Sequence, residues 1–249
     1  MRDSVRSGKG IARVAGVLFI AATAASLLST SLLNPVLDGS GYLARTFAHQ
    51  DRVIAGVSLE LVAAFAGAAI AISLYPVLAR HRPGLALGSA GFRLIEAVLY
   101  VVGAIGALLL VTLSQQAASA TAPRSPYFYA TGALLRALRD QASLAGVLAF
   151  YIGAFMYYWI FFQAGLVPRW LSGWGLAGVV LGFTAGILVL FRVTGYMSTI
   201  QVLFNLPIGV NEMVLAVWLI VKGFSSPATD LRPPVSGAGV TRAAPTPLR

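Results

Sequence analysis

The chain has 249 residues, of which 58% are hydrophobic and only 10% charged, with a net charge of +10 and no cysteine. A mean hydropathy of +0.81 is far from the balance of a soluble domain and points to a bilayer. The composition excludes disulfides, thiolate metal sites and cysteine nucleophiles. The basic residues are scattered over helix ends and a tail, without the aromatic-interleaved stripe of a nucleic-acid binder, so no nucleic-acid partner is expected.

A helix needs about 20 apolar residues to cross the hydrocarbon, and six segments qualify: roughly 11–33, 53–78, 86–113, 142–165, 170–191 and 199–221. The expected fold is all-α, an integral membrane bundle of six transmembrane helices with both termini cytoplasmic. Residues 1–10 form a basic N-terminus, 11–224 the membrane domain and 225–249 a tail. In the first span, Arg2, Arg6 and Lys9 precede an apolar stretch with the small residues AATAAS, which is also the plan of a signal peptide. The apolar run continues through SLLSTSLLNPVL, which favours a span. Residues 34–52 then read as one outer loop, carrying His49 beside Asp51 and Arg52 as solvated groups.

The second outer connection, 114–141, begins with small and polar residues and turns into SPYFYATGALLRALRD. There Ser125 suits a helix cap and Pro126 a first helical turn. Phe128, Leu135, Leu138 and Ala142 recur at helical spacing, so this stretch is either an interfacial helix or an early start to the fourth span. In the fifth span, Gly178, Gly182 and Gly186 repeat every four positions and make a smooth groove for another helix, because close packing at small residues drives association in lipid. From Ser225 onward the chain is rich in Pro, Ser and Gly and has almost nothing to bury, the composition of a disordered tail.

Lys and Arg resist translocation. With the N-terminus inside, Arg2, Arg6, Lys9, Arg13, Arg80, Arg82, Arg169, Lys222 and the tail arginines lie in the cytoplasm, against Arg45, Arg52, Arg124, Arg136, Arg139 and Arg192 outside. Trp159, Trp170, Trp174 and Trp218 then fall near the inner interface, where an indole keeps its N–H hydrated while its ring meets lipid. His81, in LARHRPG, sits at the same face as an interface anchor.

Four charged residues stand inside the spans away from their ends. Glu60 is in the outer half of the second and pairs, on this reading, with Arg139 or Arg136. Arg93 and Glu96 in the third and Glu212 in the sixth are level near mid-depth. A lone charge there costs about 2.5–3.5 kcal/mol, so these groups are expected to find one another. Residues three apart on a helix are neighbours, so Arg93 reaches Glu96 within its own helix while its other donors point across the bundle. In the sixth span Gln201, Asn205 and Glu212 fall in a stripe roughly 40° wide at about 100° per residue. Pro207, in the same span, frees the carbonyl of Leu203. The expected polar cluster is therefore Arg93, Glu96, Gln201, Asn205 and Glu212, between the third and sixth spans. It is either a buried structural network or a solvent-accessible site for a cation, a proton or a polar solute. No nucleophile and base, no metal-ligand cluster and no cofactor motif is visible in the chain, so no enzyme, metal or cofactor is expected. The expected partners are the lipid bilayer and that small polar solute or proton.

Several stretches together resemble a bacterial membrane family catalogued as domain of unknown function 4386: DRVIAGVSLELV, LYPVLARHRPGLALGSAGFRLIEAVLY, LVPRWLSGWGLAG and NEMVLAVWLIVKGF. The resemblance covers roughly residues 10–224 and rests on Arg93, Glu96, Pro168, Arg169, Trp170, Trp174, Asn211 and Glu212 in matching local contexts. It implies a polytopic protein of the bacterial inner membrane and no particular activity. Independently, EAVLYVV after Glu96 and EMVLAVW after Glu212 share Glu, Val, Leu and Val at equal spacing. An inverted repeat of three plus three spans, as many transporters have, would place these two glutamates in corresponding positions.

Overall fold

The computed structural model describes residues 2–120, 126–195 and 198–225, with side chains from residue 8 onward. Seven helices follow one another: α1 Arg2–Leu37, α2 Tyr42–Ala48, α3 Gln50–Leu78, α4 Pro83–Ser119, α5 Pro126–Ala164, α6 Arg169–Leu190 and α7 Thr199–Val221. All but α2 are long and apolar enough to cross a membrane, giving six candidate spans. The expected cap at Ser125 and the tail 226–249 lie outside the described residues.

Helices α1, α3, α4 and α5 extend beyond the apolar runs expected for them, whereas α6 and α7 fall within a residue of theirs. Helix α1 is continuous from Arg2, so the basic N-terminal stretch is its first turns, and it runs on through Pro35. The expected loop 34–52 contains the short helix α2. Arg45 of that helix donates to the carbonyls of Val36, Ser40 and Asp38, satisfying acceptors that the end of α1 leaves unpaired. Helix α5 has 39 residues, about 58 Å at 1.5 Å per residue, nearly twice the hydrocarbon thickness. The stretch after Pro126 is thus the start of the fourth span and not a separate interfacial helix.

Packing follows chain order around a closed ring: α1 on α3, α3 on α4, α4 on α5, α5 on α6, α6 on α7, and α7 back on α1. The closing contact depends on Gly16, where an added methyl would come within 2.6 Å of the Ala216 carbonyl and 2.7 Å of the Ile220 side chain. Serine hydroxyls tie neighbouring helices through backbone acceptors, Ser29 to Gly56 at 2.8 Å and Ser89 to Gly153 at 2.9 Å. The glycine groove on α6 is filled as its spacing implied. Methyls at Gly178, Gly182 and Gly186 would meet Ile208 of α7 at 3.0 Å, Tyr151 of α5 at 2.5 Å and Leu148 of α5 at 2.8 Å.

Two apolar clusters fill the ring. One, toward the end that carries Arg80, Arg169 and Lys222, packs Leu74, Leu78, Tyr158, Phe161, Leu171 and Leu219. The other, toward the α1–α3 connection, packs Leu33, Val53, Val57, Ala104 and Leu110, with α2 contributing Tyr42 and Leu43. The charged residues of the spans lie between these two clusters.

Candidate functional site

Arg93 stands ten residues into α4 and Glu212 ten residues before Lys222, so each is about 15 Å from the same end of the bundle. Both line a cavity of about 190 Å³ with Glu96 and Tyr100 of α4, Phe150 of α5 and Phe19 of α1. Five of the six long helices contribute to its wall, since Ala63 and Ile70 of α3 complete it.

Arg93 and Glu96 are 4% and 7% exposed. Their Nη1 and Oε2 atoms are 2.8 Å apart, one turn along α4. The guanidinium lies over the Phe150 ring, its carbon 4.8 Å from the centroid, which desolvates and orients it. Gly67 of α3 makes room for it, because a methyl there would stand 3.0 Å from Nη2. Arg93 Nε is buried with no hydrogen-bond partner among the described residues, and Glu96 Oε2 holds its guanidinium neighbour by proximity without hydrogen-bond alignment.

Glu212 is partly buried and accepts from the Tyr157 hydroxyl at 3.3 Å. It faces the cavity from α7, opposite the Arg93–Glu96 pair. The cavity wall therefore brings together two carboxylates and one guanidinium. Asn211, the neighbour of Glu212, turns the other way: it accepts from Tyr158 at 2.6 Å and donates to the Leu171 carbonyl at 3.0 Å. These bonds pin α7 to α5 and α6 at the level of the site.

Gln201 and Asn205 do not join this wall, a correction to the expected five-residue cluster. Gln201 donates to the Ala185 carbonyl of α6 at 2.5 Å, Asn205 donates to the Gln201 carbonyl at 2.7 Å, and Tyr151 of α5 donates to Asn205. The three polar residues of α7 do share a face. Between Asn205 and Glu212 that face passes from α6 and Tyr151 to the open interior, about 10 Å deeper at 1.5 Å per residue.

A second polar chamber of about 210 Å³ holds Glu60 and Arg139, whose Oε2 and Nη1 are 2.8 Å apart. Arg139 also donates to the Gly103 carbonyl at 3.3 Å. Ser26, Ala63 and Tyr100 line both chambers, so the two ion pairs belong to one polar interior. Along α3 they are separated by the two turns from Glu60 to Gly67, about 10 Å. Sequence reasoning missed the tyrosines. Tyr100 is one turn after Glu96, and Tyr151 and Tyr158 are a heptad apart on one face of α5, a spacing that could have placed their hydroxyls inside the bundle.

A ring of six long apolar helices around a charged interior defines a polytopic helical membrane protein. The family model described as domain of unknown function (DUF4386) matches residues 14–223, and the chain belongs to that family. Comparison with curated proteins and with solved structures found no match.

Proposed function

We propose that this protein moves or senses a small polar solute or proton through the cavity formed by Arg93, Glu96 and Glu212. The observation that carries the reading is the charge imbalance of that cavity. Arg93 is engaged by Glu96 at 2.8 Å, which leaves Glu212 with a tyrosine hydroxyl as its only hydrogen-bonded partner among the described residues. An uncompensated carboxylate at mid-depth is costly and marks ion and proton paths in membrane proteins. The reading involves no bond-making step on a substrate. It places the protein in a bacterial inner membrane with both ends cytoplasmic, supported by the basic residues Arg13, Arg80, Arg82, Arg169 and Lys222 near one end of the bundle.

A second reading, a non-catalytic scaffold or regulatory partner whose polar groups are structural, draws on the bonds that join α5, α6 and α7 through Tyr151, Asn205 and Gln201. Flux in proteoliposomes, with and without a pH gradient and screened over ions and small metabolites, separates the two. Solute or proton movement above protein-free vesicles supports the first reading, and its absence across the screen supports the scaffold.

A further inference from the structure

The ligand's charge and polarity follow from the groups that face it, and the inference rests on the cavity reading above. Arg93 contributes one positive charge, Glu96 and Glu212 one negative charge each, so the wall carries one negative charge when both carboxylates are ionised. The adjoining chamber adds Glu60 and Arg139, already joined at 2.8 Å, and leaves the sum unchanged. The other titratable groups near Glu212 are Tyr100 of α4 and Tyr151, Tyr157 and Tyr158 of α5. Helix α1 brings Phe19, Ala22 and Ser26 to the wall and α3 brings Ala63 and Ile70, none of them charged.

An interior carboxylate is tolerated when something neutralises it. A proton does so, and so does a monovalent cation of a size that fits. Phe19 and Tyr100 line the cavity, and aromatic faces attract ammonium groups. We propose that the cavity binds a small monovalent organic ammonium compound, its ammonium on Glu212 in competition with a proton. One carboxylate that holds either a proton or the ammonium exchanges them one for one, so the site stays neutral with either occupant.

Equilibrium dialysis of purified protein in detergent with radiolabelled ethanolamine tests this without any flux measurement. Ethanolamine should bind to the wild type and weaken as pH falls from 8 to 6, by up to about tenfold per pH unit, the limit when one proton displaces one ligand. Methylammonium should compete; potassium, which has no apolar surface to set against Phe19, Ile70 and Val147 of the wall, should compete at least several-fold more weakly, and acetate should not compete. Glu212→Gln should lose binding at least tenfold, and Glu212→Asp should retain part of it. Where Glu212→Gln fails to elute as a folded monodisperse species, the pH series on the wild type decides. Binding that is insensitive to pH, equal in folded Glu212→Gln, matched by potassium, or absent altogether overturns the proposal. Proton flux with no ethanolamine binding would overturn it while leaving the cavity reading intact.

Discussion

Arg93 and Glu96 hold each other at 2.8 Å within a single turn of α4, while Glu212 faces them from α7 with, among the described residues, only the Tyr157 hydroxyl bonded to it. The two glutamates therefore occupy different electrostatic situations in one cavity. Removing Arg93 should strand Glu96 in an interior where it is 7% exposed. Arg93→Met is expected to destabilise the fold by about 3–5 kcal/mol, the usual cost of breaking a buried pair. The double change Arg93→Met with Glu96→Gln should recover most of that loss. Thermal melting in detergent measures both, and additive losses in the double variant would contradict the pairing.

Glu212 should behave in the opposite way. Its removal leaves Arg93 paired, so Glu212→Gln should keep folded yield and melting temperature near wild type while abolishing solute or proton movement. Glu212→Asp should retain part of the flux. Normal flux from well-folded Glu212→Gln protein would remove this residue from any transport role. A large fall in melting temperature would instead mark it as structural.

The second pair makes a more modest prediction. Arg139 and Glu60 are 17% and 13% exposed at their side chains, and their contact is charge-assisted. Arg139→Gln should lower stability by about 2 kcal/mol, the range of hydrogen bonds to charged groups. The combination with Glu60→Gln should cost less than the sum. Chemical denaturation of the three variants checks this.

Close packing at α6 yields a steric prediction. A side chain at Gly182 meets the Tyr151 ring at 2.5 Å, so Gly182→Val should push Tyr151 off Asn205. Overpacking of this kind costs about 1–3 kcal/mol. Gly195, with nothing among the described residues within 4 Å of an added methyl, serves as the control: Gly195→Ala should melt near wild type.

Outside the spans, His81 is held below its ordinary pKa of 6.5, first by burial and then by the neighbouring Arg80. The folded protein thus favours the neutral ring. As pH falls through about 6.5 the unfolded chain takes up a proton that the native chain refuses, so stability declines. His81→Gln should flatten the melting temperature between pH 7 and pH 5.5. An unchanged pH slope in that variant would assign the dependence elsewhere.

The spans were readable because lipid demands long apolar runs, and the glycine spacing on α6 announced its partner face. Charges inside those runs announced Arg93, Glu96 and Glu212, since each needed a reason to be there. Gln201 and Asn205 were misplaced by the same logic: helical periodicity gives a residue's face but not which neighbour covers that face at each depth. Here α6 and Tyr151 cover the stripe first, and the cavity begins only near Glu212. The tyrosines escaped notice because they are compatible with lipid, core and site alike. The hydroxyls of Tyr151, Tyr157 and Tyr158 acquire meaning from the acceptors that α7 presents.

The ring closes through Gly16 and the last helix, and this has a consequence for biogenesis. The chain must emerge almost entirely before α1 meets its final neighbour, so α4 enters the membrane while the wall of the cavity is still incomplete. An arginine without company would hinder that entry by the cost of burying one charge. Because Glu96 lies a single turn from Arg93, α4 carries its counterion with it and can partition as a neutral segment. Glu212 arrives last, in a helix of its own, and meets an arginine whose charge Glu96 already balances.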